Sequence, residues 1–332
     1  MTTPKTLRAS RPEDLLAAVP VVLGFHPERS IVMLTFGAPG TGFHARTDLP
    51  GRAELAEAIT PLLEAATRHR VARVAFVLYS DDASRAAFAA RQLRQAFRRA
   101  GIDVVTVLRA DGRRWFEVDP RVAPGRGRAY DVAEHPFTAQ SVYEGSVTHR
   151  DRATLAASLE PVPARVAAVT RALPDALAAL ADLDVDREAR WLSGVLLQRG
   201  QQSRPSELDD AEVARLLVAV AVDPIRDLAW LAIRRATAGV QVTLWADVLQ
   251  RSPEELAASP AWLLAFAAWQ EGHGALAWCA LDRCLEADPD YSLAELLGSV
   301  LVQALPPSAW EEFLDDQVAQ GDEFDCESFR GR

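Results

Sequence analysis

The sequence predicts an N-terminal α/β domain, a mixed sheet with a parallel core and hairpins, followed by an all-α domain containing a tetratricopeptide-like helix pair. Three observations carry that expectation. Residues 71–79, VARVAFVLY, are continuous, β-branched and aromatic, as a central strand covered on both faces must be. Asp111-Gly112 stands between two apolar runs and has the chemistry of a tight hairpin turn. From about residue 137 onward, Ala, Leu, Arg and Glu recur at helical spacing and no strand pattern is found.

The elements follow in order. Ser10-Arg11-Pro12-Glu13 has capping-box spacing and opens a first helix carrying Leu15, Leu16 and Val19, expected to stop near Pro20. Ile31 to Phe36 is a buried strand, and the glycine-rich segment Gly37 to Gly42 connects it in a hairpin to a strand over Phe43 to Leu49. A helix follows from Arg52 to His69, then the central strand. Ser80-Asp81-Asp82 caps a helix with Ala86, Ala89, Ala90, Leu93 and Phe97 on one face and arginines on the other. Gly101 ends it, Ile102 to Leu108 is the next strand, and Arg114 to Val118 completes the last hairpin. The strand, Arg-rich helix and strand form a crossover unit with parallel neighbours. Residues 119 to 136, rich in Pro, Gly and Arg, read as an irregular excursion.

In the second half about eight helices are expected, several of them starting at proline, whose missing N–H costs nothing there. Glu271-Gly272-His273-Gly274 separates the clearest pair, in which Leu264, Ala265 and Ala268 face Ala277, Leu281 and Cys284 at the spacing of one tetratricopeptide unit. Trp230, Trp245, Trp262, Trp269 and Trp278 sit among apolar residues at helical spacing and read as core. Trp310 to Glu327 carries eight acidic residues and reads as an acidic tail. The resulting division is 1–136 α/β, 137–318 α-helical and 319–332 a flexible acidic tail.

Composition limits function. Residues 1–160 hold 22 Arg plus Lys against 18 Asp plus Glu, a net +4, and the remainder 14 against 28, a net −14. The total of −10 argues against general nucleic-acid binding. Lys5 is the only lysine, so arginine is the background cation of this chain and its clusters carry little weight. No uncharged apolar run reaches the roughly 18 residues of a membrane span, and the N-terminus has no signal core. Cys279, Cys284 and Cys326 make neither a disulfide framework nor a metal set. A cytoplasmic protein without membrane contact, metal or cofactor is expected.

Leu23-Gly24-Phe25-His26-Pro27, followed by Ser30 and an apolar strand, resembles the opening motif of the actinobacterial DUF4192 family. Trp269-Gln270-Glu271-Gly272-His273-Gly274-Ala275-Leu276-Ala277 and Asp288-Pro289-Asp290-Tyr291-Ser292-Leu293-Ala294 resemble its C-terminal signature, with Arg226-Asp227 and Leu244-Trp245 fitting the segment between. The resemblance implies a cytoplasmic actinobacterial protein of unassigned function and supplies no catalytic residues. Many relatives have a cysteine-rich stretch after the Arg-Trp of the last hairpin. Here Arg114-Trp115 is followed by Phe116-Glu117-Val118-Asp119-Pro120, so any metal or thiol role of that stretch is absent.

Four places invite a chemical reading. His26 could act as an acid or base oriented by Glu28, with Arg29 beside it and Ser30 as nucleophile, but no nucleophile elbow surrounds Ser30 and a structural corner is favoured. Gly37 to Gly42 lacks the Gly-Lys-Ser/Thr ending of a phosphate loop and precedes a strand, so a hairpin is favoured. Asp81 and Asp82 lie at the C-terminal end of the best strand, where α/β sheets bind ligands, yet the same residues are favoured helix caps. Arg113, Arg114 and Trp115, with Arg109, Arg121, Arg126 and Arg128 nearby, could hold an anion or stack a base, against which stands the arginine-rich background. His135 and His149 read as isolated.

The expected function is a scaffold or ligand sensor acting through protein contacts of the helical domain, with a protein partner or a second copy of itself. The alternative is an enzyme acting on a phosphorylated or anionic small molecule through His26, Asp81, Asp82 and Arg114. A third reading, weak nucleic-acid contact through the basic half, runs against the net charge.

Overall fold

The structure is a computed structural model that describes residues 9–36, 43–119, 125–143, 147–180, 185–201 and 207–320. It divides into two compact units, one built on the chain up to Arg152 with Val302–Pro306, the other on Ala153–Leu301 and the chain from Pro307. Among the described residues no helix is long and apolar enough to cross a membrane.

The first unit follows the expected order. Helix α1 (Pro12–Leu23) leads into strands β1 (Ser30–Phe36) and β2 (His44–Asp48), helix α2 (Leu55–Arg68), strand β3 (Arg73–Tyr79), helix α3 (Ala83–Arg99) and strands β4 (Asp103–Ala110) and β5 (Arg114–Glu117). The sheet order is β2-β1-β3-β4-β5, with a two-residue β6 (Arg128–Ala129) beyond β5. Only β3 and β4 are parallel; the other neighbours are antiparallel. The β6 pairing falls inside the stretch expected to be irregular: two residues suffice to pair Arg114 with Ala129 and Trp115 with Arg128, too short a run to show alternation.

Strand periodicity sorts the core into two layers. Ile31, Met33, Val74, Phe76 and Leu78 point to the side covered by α2 and α3, where Ile59, Leu62, Leu93 and Phe97 meet them. Val32, Leu34, Ala75 and Val77 point the other way, against Leu15, Leu16 and Val19 of α1. The small Ala86, Ala89 and Ala90 let α3 approach the sheet, and Phe97 meets Phe76 edge-to-face at 5.0 Å. Both faces of β3 are therefore dry, as its unbroken apolar sequence requires.

Helix α1 departs from expectation at both ends. Its entry is organised by Asp14, not by Ser10 and Glu13: Asp14 Oδ2 accepts the N–H groups of Ser10 (2.7 Å) and Arg11 (2.9 Å). Pro20 removes one internal hydrogen bond without stopping the helix, which continues to Leu23. Gly24, at φ 76°, ends it with its N–H on the Pro20 carbonyl at 2.9 Å. A short helix, α4 (Pro136–Tyr143), completes the unit.

The second unit runs α5 (Arg152–Ala157), α6 (Pro163–Leu180), α7 (Val185–Gln201), α8 (Asp210–Val220), α9 (Asp223–Leu231), α10 (Ala238–Gln250), a 3-10 turn at Glu254–Leu256, α11 (Ala258–Glu271), α12 (Gly274–Ala287), α13 (Ser292–Val302) and α14 (Ser308–Gln320). From Pro136 onward eleven α-helices are described, more than the eight expected, because Ala-rich stretches separated by short polar turns read as single helices in sequence. Helix α11 is buried all round, from Pro260 to Gln270, and is the central element. Its alanines let α10 and α12 pack closely. Gly272, at φ 90°, ends α11 in the left-handed conformation that glycine adopts freely. Close by, Gly239 at the start of α10 leaves room for the Glu271 carboxylate, whose Oε1 would stand 2.7 Å from a Cβ built there.

Trp230, Trp262, Phe266, Trp269, Trp310 and Phe313 form one aromatic cluster. The Trp230 ring meets Trp262 edge-to-face at 5.0 Å and stacks on Trp310 at 5.0 Å. Phe266 touches Trp230, Trp262, Trp269 and Trp310. Trp245 is fully buried beside Gln241, whose Oε1 accepts its indole N–H at 3.0 Å. Trp278, expected in the core, is only half-buried. Trp310, which the acidic count around it assigns to a tail, is fully buried, and Phe313 stacks on it at 5.5 Å. Acidic residues and an apolar stripe coexist on α14; the expected tail beyond Gln320 lies outside the described residues, as do Gly37 to Gly42 and Arg121.

Truncating Trp310 to alanine should therefore destabilise the helical unit by about 3–5 kcal/mol, the range for a buried aromatic, and quench nothing in the α/β unit. Urea unfolding followed by far-UV circular dichroism checks this, and a midpoint unchanged from wild type would assign Trp310 to a dispensable tail.

Candidate functional site

The register brings the turns read as chemical to one edge of the sheet. Ser30 pairs with both Asp48 and Tyr79, the Ser80 N–H donates to the Ala110 carbonyl at 2.9 Å, and Ala110 faces Trp115. Within that edge the polar groups are tied into backbone. Ser30 is fully buried; its hydroxyl donates to the Glu28 carbonyl at 2.6 Å and accepts from Arg46 Nε at 2.9 Å. Arg29 has φ 41° and its carbonyl accepts the Leu49 N–H at 2.7 Å. His26 and Glu28 are exposed, and the His26 backbone N–H reaches the His149 carbonyl at 3.1 Å in a bridge flanked by Phe25. The segment behaves as a corner.

Asp82 caps α3, accepting the Arg85 N–H at 2.9 Å; that N–H is the main reason its carboxyl stays below its ordinary value. Asp81 is exposed, and its carbonyl, like that of Ser80, accepts from the buried Arg109. Arg109 also lies 3.8 Å over the Phe116 ring and beside Asp111, so this arginine is an internal brace, not a solvated loop charge. Asp111 Oδ1 accepts the N–H groups of Arg113 (3.0 Å) and Arg114 (2.7 Å). The Arg114 guanidinium donates to the carbonyls of Arg126 and Gly127, holding the chain that returns as β6. Trp115 faces the core layer of α1, with Arg128 5.5 Å over its ring. Arg113 is exposed.

His135 is not isolated. Its Nε2 lies 3.2 Å from Asp14 Oδ1 and its Nδ1 accepts the Phe137 N–H at 3.2 Å. Burial works to raise the Asp14 carboxyl, but the N–H groups of Ser10 and Arg11, His135 and the Arg11 guanidinium outweigh it and hold it below its ordinary value. Both ring nitrogens are engaged in joining α4 to α1. A cavity of about 280 Å³ opens beside them, between Glu13, Tyr130 and Glu134.

The larger cavity, about 480 Å³, lies in the helical unit, where the ends of five helices meet. Its walls are the end of α8, the start of α9, the 3-10 turn with the start of α11, and the loop from α12 into α13. Arg226 is 9% exposed; its Nε and Nη2 donate to Asp227 Oδ1 at 3.1 and 2.9 Å, and its Nη1 to Asp223 Oδ1 at 2.7 Å. The Tyr291 ring lies 6.0 Å from the Arg226 guanidinium, and its hydroxyl donates to Ser259 Oγ at 3.1 Å. Burial pushes the Tyr291 phenol up, so it stays protonated. The loop is shaped by Asp288, whose Oδ1 accepts the Asp290 N–H at 3.1 Å. Trp262 fixes the far wall, donating its indole N–H to the Leu293 carbonyl at 2.9 Å.

Sequence reasoning did not single out this cavity as a site. Arg226 and Tyr291 lie 65 positions apart, each in a separate family-like motif to which the sequence attaches no chemistry. The available signal was the short polar run Asp288-Pro289-Asp290-Tyr291-Ser292 among apolar helices. Among the described residues no group of three His, Cys, Asp or Glu could hold a metal ion. Burial pushes the Cys284 thiol up to about 12, which leaves it protonated and unreactive.

A family model described as a domain of unknown function, DUF4192, matches residues 12–308. The chain belongs to the DUF4192 family. No curated protein and no solved structure matches it. The DUF4192 match runs through both units, from the first turn of α1 to the first turn of α14. The DUF4192-like motifs at Arg226-Asp227 and Asp288 to Ala294 supply two walls of the larger cavity.

The ion pairs of Arg226 should differ in weight, since Asp223 is 75% exposed and Asp227 29%. Asp227→Ala should cost about 2–3 kcal/mol by leaving a buried guanidinium short of its partner, and Asp223→Ala under about 1 kcal/mol. Chemical denaturation of both variants checks the order; equal losses would contradict it.

Proposed function

We propose that this protein is a cytoplasmic binding protein whose helical unit receives a small ligand, or one side chain of a protein partner, in the Arg226–Tyr291 cavity. The observation that carries the reading is the contrast between the two ends of the molecule's chemistry. At the strand edge Ser30, Asp82, Asp111, Arg109 and Arg114 are bonded to backbone and brace turns, and Ser30 has an arginine, not a histidine, on its hydroxyl. Among the described residues of that edge this leaves no nucleophile–base pair of the kind acyl or phosphoryl transfer uses. The cavity, by contrast, has the size of a small-molecule site and polar groups held on rigid helix ends. The sheet then acts as scaffold, and the exposed face of α12, in the helix pair with tetratricopeptide-like spacing, as a surface for protein contacts.

The enzyme reading retains one supporting observation. The register does collect the exposed Asp81 and Arg113 at the C-terminal strand edge, where α/β sheets bind ligands.

Thermal-shift screening of the full chain against a library of metabolites discriminates the two, because a ligand that binds only the folded state raises its melting point. A stabilising ligand should lose its effect in Tyr291→Ala and keep it in Arg113→Ala. A ligand lost in Arg113→Ala, retained in Tyr291→Ala and chemically converted by the protein would replace binding with catalysis.

A further inference from the structure

The cavity has a chemical preference, which rests on the binding reading above. We propose that it recognises an organic cation, an ammonium or guanidinium group, held between the Tyr291 ring and the carboxylates around it. The first ground is that the charge of Arg226 is already matched by two carboxylates, with three of its five N–H groups bonded to them. Its Nε and both terminal nitrogens already donate to Asp227 and Asp223, at 2.7–3.1 Å. A ligand carboxylate or phosphate approaching Arg226 would therefore face the carboxylates of Asp223 and Asp227 beside it.

The second ground is the remaining charge. Besides Arg226, the charged residues on the wall are Asp223, Glu255, Asp288 and Asp290, four carboxylates against one guanidinium. Glu255 and Asp290 are exposed, and Asp290 contributes only its backbone N–H to the shape of its loop.

The third ground is the aromatic wall. The Tyr291 hydroxyl is anchored on Ser259, which fixes the ring plane, and the ring already has one guanidinium 6.0 Å from its centre. An aromatic ring beside carboxylates is the arrangement that holds an alkylammonium or guanidinium group. At about 480 Å³ the space suits a group carried on a hydrocarbon stem, such as a diamine or an arginine or lysine side chain.

Isothermal titration of the full chain at low salt with putrescine, arginine amide, succinate and inorganic phosphate tests this. Putrescine or arginine amide should bind, the affinity should fall with added salt, and Asp290→Asn and Glu255→Gln should each weaken it about fivefold. A Gly-Gly-Arg-Gly-Gly peptide binding more tightly than arginine amide would identify the source as a protein side chain, and the reverse as a free small cation. Failure of both cations to bind overturns the proposal. Succinate or phosphate binding that Tyr291→Ala abolishes overturns the cation assignment and leaves the cavity as the site. Cations binding equally well to Tyr291→Ala and to wild type overturn both.

Discussion

Trp262 makes two contacts at once. Its ring meets Trp230 of α9 edge-to-face at 5.0 Å, and its indole N–H donates to the Leu293 carbonyl at the start of α13 at 2.9 Å. Helices α9, α11 and α13 are thereby set at a fixed spacing by one side chain, and the cavity is the space their ends enclose. Arg226 lies one turn before Trp230, Ser259 one turn before Trp262, and Tyr291 two residues before Leu293. Trp310 and Phe266 complete the cluster, and the hydrogen bond of Trp262 is itself buried. A buried indole N–H with a carbonyl partner is costly to remove, so the constraint is stiff as well as apolar.

The α/β unit uses its polar groups differently. Asp14, Asp82 and Asp111 each accept backbone N–H groups at the start of a helix or turn, and each is held below its ordinary carboxylate range. Arg46, Arg109 and Arg114 complete the corners from the other side. These residues resemble a catalytic set in sequence because acids, arginines and a histidine also suit turns and caps. In the folded chain Asp82, Asp111, Arg109 and Arg114 direct their hydrogen bonds at the main chain, and the edge is a frame.

The α/β half was legible because its signals are local. The unbroken run at 71–79, the alanine face of α3 and Asp111-Gly112 each determine an element within a few residues, and all three stand as read. The errors arose where one residue outweighed a pattern. Pro20 does not end α1, since a helix packed on a sheet tolerates one missing bond, and Trp310 anchors α14 despite the carboxylates around it. The cavity was illegible for a different reason. Its walls come from segments up to 71 residues apart, from Ala221 to Ser292, brought together by ring contacts that no spacing rule encodes, whereas His26, Glu28 and Ser30 attracted notice by adjacency.

The dependence of the cavity on Trp262 can be measured directly by hydrogen exchange on the full chain carrying Trp262→Phe, which keeps an aromatic ring and removes the indole N–H. The account predicts that amides at the start of α13, residues 292–297, lose protection while the interior of α11 keeps it. Wild-type protection throughout the start of α13 would contradict it.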